Sequence, residues 1–285
     1  MTFDEAWSAG KKALSGEKLP SPALDSLILL AFAAGGSKER VVSNLSETLD
    51  GEALGRYEAL IGMRRRRAPV AYLTGTKEFM GLGFIVDKNV LIPRPETETV
   101  AEEAIRTIRE RGLARVLDLC TGSGCIGVSI AHYCETVSVT ASDICPLALE
   151  TAKKNAAALA AGNRVSFALS DLFENVGGGF DMIVSNPPYI KDMDSLPEEV
   201  KDYEPGLALY GGADGLDFYR RILGEVGGRL KPDGDILLET GCDMADTVAG
   251  MMEKDFTSVR IIKDLAGRSR ACAGRRRLYR GEQNV

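Results

Sequence analysis

Histidine and tryptophan occur once each among the 285 residues. With His132 alone, a Ser-His or Cys-His catalytic apparatus is a poor expectation. The six cysteines, Cys120, Cys125, Cys134, Cys145, Cys242 and Cys272, form no Cys-x-x-Cys pair. Ligands at short spacing are therefore missing, and no metal site is expected. Long hydrophobic runs are absent too. The longest, Leu27 to Ala34, falls well short of the roughly 18 residues of a membrane span. Asp4 and Glu5 stand where a signal peptide would be basic. These absences point to a cytoplasmic protein with reduced thiols and no membrane partner. An excess of basic charge is also missing. The net charge is −6, which is unfavourable for affinity won by neutralising phosphates. No sequence-specific nucleic-acid partner is expected.

What remains is an ordinary soluble composition, 45% hydrophobic and 27% charged, and a length suited to about two domains. Residues 1–68 read as four or five short helices. Thr2 and Glu5 have capping-box spacing, Ser21-Pro22 offers an N-cap with proline at the first helical position, and Asp50 can cap a helix running into Arg64–Arg67. That basic run fits either an acidic partner surface or a solvated helix end whose negative dipole it opposes. From Val70 to Pro93 the texture changes to apolar residues interleaved with glycines, a β-hairpin signature. The expected division is a helical domain over 1–68, a hairpin linker over 69–95 and a catalytic domain over 96–285.

From Arg115 onward strands and helices alternate. Strands are expected at Val116–Leu119, Thr136–Ala141, Val165–Ala168, Met182–Ser185, Asp235–Glu239, Ser258–Ile262 and, last, Arg277–Arg280. Helices are expected from Gly124, over Pro146–Ala160, over Gly215–Leu230 and over Met244–Lys254. This alternation implies a doubly wound, mostly parallel α/β sheet.

Such sheets bind ligands at the carboxyl ends of their strands. Cys120-Thr121-Gly122-Ser123-Gly124 follows the first strand, and its glycines allow close approach to the backbone. Asp143 ends the second strand, where a carboxylate can take both hydroxyls of a ribose. Taken alone, this loop fits a dinucleotide as well as S-adenosylmethionine. Asp171 and Leu172 end the third strand. They suit an adenine, the acid accepting from its amino group and the leucine covering its ring; a helix N-cap is the competing role of Asp171.

Asn186-Pro187-Pro188-Tyr189 follows the fourth strand. Two prolines stiffen the loop and remove two donors. The Asn186 side chain and the Pro187 carbonyl then present two acceptors, and Tyr189 a flat ring. Together they suit a planar –NH2 group. Its delocalised lone pair makes it a weak nucleophile, so catalysis would rest on aiming it at an electrophilic methyl. The pattern indicates amino-methyl transfer and leaves open which amine.

At this point the chain resembles the HemK/PrmC-type methyltransferases over nearly its whole length. The resemblance is carried by Ala71–Gly75, Leu91–Glu98, Leu117–Gly124, Asn186–Ile190, Tyr203–Pro205 and Gly211–Leu216. It implies a class I methyltransferase with a seven-stranded sheet, an N-terminal helical domain that docks the substrate, and a hairpin linker. It implies S-adenosyl-L-methionine as cofactor and the glutamine of the Gly-Gly-Gln motif in class I peptide chain release factors as acceptor. Cys120, Thr121, Gly122, Ser123 and Gly124 would line the methionine part, Asp143 the ribose, and Asp171 with Leu172 the adenine, and Asn186 would also touch the cofactor. Asn186, Pro187, Pro188 and Tyr189 would hold the glutamine amide. Cys120 stands where the family usually has glycine, and a small side chain fits there if φ stays negative. A ribosomal-protein glutamine methyltransferase shares the acceptor motif. An adenine N6-methyltransferase shares it too, but the acidic balance argues against it.

Overall fold

A computed structural model describes residues 1–17 and 19–277. The chain divides into two compact units. One comprises Met1–Thr76 and Leu196–Tyr203; the other comprises Lys77–Ser195 and the chain from Glu204.

The first unit contains α1 (Phe3–Ser15), α2 (Pro22–Ala33), α3 (Lys38–Ser43), α4 (Gly51–Arg65) and α5 (Val70–Thr74). The capping box forms, with Thr2 Oγ1 accepting from the Glu5 N–H at 3.2 Å and Glu5 Oε2 from the Thr2 N–H at 2.9 Å. Asp50 caps α4 through the Ala53 N–H at 2.7 Å. The Ser21 side chain makes no cap bond, so α2 starts on Pro22 alone. Phe3, Leu14, Leu29 and Leu30 form the core. Ser26 Oγ and the Tyr57 hydroxyl share a 2.6 Å hydrogen bond. Gly10 makes room for it, since a Cβ there would lie 1.9 Å from the phenol oxygen.

The arginine run is neither wholly solvated nor free. Arg64 is 2% exposed, with Nε donating to Asp25 at 2.8 Å and a second nitrogen 3.0 Å from Glu199. Arg65 pairs with Glu17 and Arg67 with Glu198. Glu198 and Glu199 open a short helix, α9 (Glu198–Tyr203), that sequence periodicity did not suggest. Six residues with no apolar stripe carry no helical signal.

A hairpin, β1 (Thr76–Phe79) and β2 (Leu82–Ile85), opens the second unit, which takes it up from Lys77. Its turn, Met80-Gly81, has φ of 53° and 71°, the left-handed pair that matches strand twist. The hairpin is shorter than the sequence suggests. Val70–Thr74 is helix α5, entered from Pro69 and closed by Gly75 at φ 72°, a proline-start and glycine-stop arrangement. Phe79 and Phe84 pack edge to face at 5.9 Å in the core of this unit.

Then follow α6 (Glu98–Arg111), β3 (Arg115–Leu119), α7 (Cys125–Tyr133), β4 (Ser138–Asp143), α8 (Pro146–Ala158), β5 (Val165–Leu169) and β6 (Phe180–Ser185). After α9 come α10 (Asp217–Glu225), β7 (Leu230–Glu239), α11 (Ala245–Met252), β8 (Phe256–Lys263) and β9 (Ser269–Arg276). Seven strands form one sheet in the order β5-β4-β3-β6-β7-β9-β8. β9 runs antiparallel to both its neighbours, and the other pairs are parallel. The expected final strand is displaced: it lies at Ser269–Arg276, while Arg277 is irregular and 278–280 fall outside the described residues.

Side chains alternate across the sheet with the period of two that a strand imposes. Val116, Met182, Val184 and Leu237 face the layer with Val100, Ala104, Ile126 and Ile130. Leu117, Leu119, Ile183, Ile236 and Leu238 face the layer with Tyr219, Ile222, Val248 and Met252. The sheet is buried on both faces, as crossover helices require.

Candidate active site

A cleft opens at the carboxyl ends of β3, β4 and β6. Cys120, Thr121, Gly122, Ser123, Asp143, Asp171, Leu172, Asn186 and Pro188 all line it. Of the sequence-selected residues, Gly124, Pro187 and Tyr189 do not. Gly124 begins α7 at φ 82°, where a Cβ would lie 3.2 Å from that of Ala152. Pro187 is buried, and Tyr189 is half-buried against the second core layer.

The glycine loop is shaped by two carboxylates. Asp143 Oδ2 accepts from the Gly122 N–H and Oδ1 from the Cys145 N–H, each at 2.9 Å. Burial raises the Asp143 pKa against these bonds. Asp118, which the sequence reading assigned no part, lies beneath the loop. Its Oδ2 accepts from Thr121 Oγ1 at 2.5 Å and from the Gly127 N–H at 2.9 Å. Gly127 is needed because a Cβ would sit 2.7 Å from that oxygen. Burial pushes the Asp118 carboxyl up to about 7.

Cys120 departs from expectation. Its φ is 58°, in the left-handed region, not the negative φ expected for a side chain there. The loop turns so sharply after β3 that the position demands this conformation whichever residue fills it. Left-handed strain costs a non-glycine residue about 1 kcal/mol, and packing of the half-buried Cys120 side chain offsets it. Cys120→Gly should therefore stay within about 1 kcal/mol of wild-type stability, while β-branched Cys120→Val should lose about 2 kcal/mol or more. Thermal melting checks both; equal melting of the two variants would contradict this account.

The acceptor loop is held from behind. Ile190 N–H donates to Leu209 O at 2.9 Å, and Gly211 N–H to Ile190 O at 2.8 Å. A Cβ on Gly211 would lie 2.6 Å from the Pro188 carbonyl, and one on Gly215 2.4 Å from that of Tyr189. The glycines of 211–215 thus let two backbones touch. Asn186 Nδ2 donates to Thr97 Oγ1 at 3.5 Å. Arg94 pairs with Glu204 at 2.5 Å, and Glu204 also accepts from the Ile92 N–H at 3.2 Å. Two distant motifs, around Arg94 and Glu204, are therefore one structural element.

Sequence reasoning missed Thr97, Arg94 and Arg221, all of which line the cleft. Arg221 pairs with Asp171 at 2.9 Å. It sits within amphipathic α10 with no local signal of a site.

Solved structures share this fold. A methyltransferase from Pyrococcus furiosus matches 71% of this chain and 92% of its own, with a TM-score of 0.52 at 20% identity. The catalytic domain of human Mettl16, solved with an RNA hairpin, covers 74% of this chain and 80% of its own, with a TM-score of 0.55 at 17% identity. Residues 101–201 match the family described as methyltransferase small domain, and residues 5–75 the PrmC N-terminal domain. Fold and family matches together define a methyltransferase.

Full-length relatives narrow the class. A release factor glutamine methyltransferase of Clostridium acetobutylicum is 43% identical, covering 85% of this chain and 87% of its own. That of Koribacter versatilis is 39% identical over 97% and 99%, and that of Geobacter sulfurreducens 39% over 94% of each. The chain belongs to the release factor glutamine methyltransferase family.

Proposed function

We propose that the enzyme methylates the side-chain amide nitrogen of the Gly-Gly-Gln glutamine in class I release factors, using S-adenosylmethionine. The relatives' names support the acceptor class. The observation that carries the chemistry is the Asn186 amide on the cleft wall, its Nδ2 engaged by Thr97 and its Oδ1 left to accept.

The residues present fit this cofactor. The Cys120–Gly124 loop presents backbone to the cleft, and nothing lies within 4 Å of a Cβ built on Gly122. Asp143 keeps lone pairs on both oxygens for ribose hydroxyls. Leu172 and Ile144 offer apolar cover for an adenine, and Asp171, steadied by Arg221, an acceptor for its amine. When bound, S-adenosylmethionine supplies a sulfonium-bound methyl carbon, whose carbon–sulfur electron pair stays with sulfur as the carbon–nitrogen bond forms.

Asn186 Oδ1 on the cleft wall and, beside the cleft, the Pro187 carbonyl accept the two N–H groups of the substrate amide, and Tyr189, set back from that wall, flanks its plane. This turns the nitrogen lone pair toward the methyl and favours its move to sp3 geometry. The methylated nitrogen is far more acidic and loses its proton to solvent, so no strong base is required. Positioning and fixed dipoles supply the rate. The helical N-terminal region docks the release factor. Among the described residues no helix is long and apolar enough to cross a membrane, and the cytoplasm, where release factors act, is the proposed location.

The test is transfer of a labelled methyl group to a release factor, to the same factor with the glutamine changed to alanine, to ribosomal proteins and to duplex DNA. Label in the intact factor alone supports the reading. Label only in ribosomal protein or in DNA would reassign the acceptor. Asp143→Ala should weaken S-adenosylmethionine binding about 10- to 100-fold, the worth of charged hydrogen bonds. Calorimetry showing unchanged affinity would remove Asp143 from the ribose site.

A further inference from the structure

Glu239 is a buried carboxylate that the mechanism above does not use. It ends β7 and is 1% exposed. The parallel register sets Ser185 beside Leu238, so the next residues of the two strands, Asn186 and Glu239, leave the sheet side by side. Thr97, at the entrance to α6 and 2% exposed, joins them. It lies close enough to the Glu239 carboxylate to favour its charged form, and it receives the Asn186 Nδ2–H at 3.5 Å. Glu239 Oε2 has no partner among the described residues.

We propose that Glu239, acting through Thr97, is a positioning residue that turns the Asn186 amide so that Oδ1 faces the cleft. This inference rests on the amide-methylating role given to Asn186. The two ends of an asparagine amide have nearly the same shape, so packing alone does not choose between them. A directional chain does. A carboxylate only accepts, so it takes the single hydroxyl proton of Thr97. The Thr97 lone pairs are then left to accept, and only Nδ2 of Asn186 can donate to them. Reversal of the chain would point Nδ2 into the cleft, where it would meet the –NH2 of a substrate donor to donor.

A protonated Glu239 could reverse the chain, because it could donate to Thr97. Burial pushes this carboxyl up to about 7. Arg270 of β9 and Arg94 oppose that rise, and Glu96 adds to it. Tyr189, Tyr219 and Cys125 also face this charge. The proton is bound below about pH 7 and lost above it, so turnover should fall as pH drops through that value. Asp118 titrates in the same range but acts on the cofactor loop, so its effect belongs to cofactor affinity.

The experiment measures methyl transfer to a release factor at saturating S-adenosylmethionine from pH 6 to 9, with cofactor affinity by calorimetry. The proteins are the wild type, Glu239→Gln, Thr97→Val, Thr97→Ser and the Glu239→Gln/Thr97→Val double variant. Glu239→Gln and Thr97→Val should each lower kcat about tenfold at pH 8 with cofactor affinity within twofold. The double variant should be no worse than the poorer single, as for residues acting as one unit. Thr97→Ser, which keeps the hydroxyl, should stay within about threefold, and Glu239→Gln should lose the acidic limb. Wild-type kcat with an intact limb in Glu239→Gln would overturn the proposal, as would losses that multiply in the double variant. A second readout needs no acceptor. The Asn186 side-chain amide signal, identified by its absence in Asn186→Ala, should titrate near pH 7 in the wild type and not in Glu239→Gln. If release factor is not methylated and this signal still follows Glu239, the acceptor is wrong and the positioning role stands. A signal indifferent to Glu239 would overturn that role.

Discussion

Replacing Asn186 with alanine is expected to lower turnover by about 10²- to 10³-fold, the usual effect of deleting one fixed dipole from a reacting centre. S-adenosylmethionine affinity should stay within a few-fold. The two effects separate because Asn186 meets the cleft from β6, whereas the loop and Asp143 meet it from β3 and β4. The loop backbone should survive the change. It is held by the Ile190–Leu209 and Gly211–Ile190 hydrogen bonds and by prolines that fix φ, none of which involves the amide. Single-turnover methyl transfer with parallel calorimetry distinguishes the outcomes. An equal collapse of cofactor binding would mean that Asn186 serves the cofactor and not the acceptor amide.

Arg64→Ala should produce the largest loss of stability, roughly 3–5 kcal/mol, as is usual when one partner of a buried ion pair is removed. Asp25, 8% exposed, would lose its guanidinium and Glu199 its partner. In the wild type, burial already raises the Asp25 pKa and Arg64 opposes that rise. Without Arg64 the folded-state pKa climbs further. A carboxyl whose folded pKa is raised favours folding most below its unfolded pKa and loses that advantage as pH rises. Variant and wild type should therefore converge toward pH 4 and differ most near neutrality. Trp7, the one tryptophan, lies in this unit with its indole N–H on the Ala23 carbonyl at 2.9 Å. Its fluorescence in urea isolates the unfolding of this unit, and the midpoint should fall by about 1 M or more. A midpoint unmoved by the substitution would mean that Arg64 is dispensable where it lies.

Much of the architecture is legible in the chain because its signals are local. Thr2 with Glu5 and Asp50 with Ala53 are contacts three residues apart. The strands from β3 to β7 show as apolar runs, and their alternation with helices dictates parallel pairing. β9 was harder. In Ser-Arg-Ala-Cys-Ala-Gly-Arg-Arg the small residues Ala271, Cys272 and Ala273 are buried, yet none carries the β-branched or aromatic mark of a strand. The expected hairpin is longer than the observed one because Val70–Thr74, a helix, has apolar residues that suit either state.

The residues that touch the cleft from the loops were chosen from sequence because backbone geometry and chemistry coincide there: glycines for approach, Asp143 at a strand end, prolines beside Asn186. Tertiary structure alone decided the rest. Asp118 is partnered through a loop that closes over it, Cys120 takes a positive φ that the turn after β3 imposes, and Arg64 is buried by carboxylates 39 and 135 positions away. Thr97 and Glu239 reach Asn186 from strand and helix ends that only the sheet order brings together. Periodicity and capping are written within a few residues, so a sequence displays them. Burial, charge pairing and the direction of a hydrogen-bond chain depend on which distant segments meet, and that is settled only when the chain has folded.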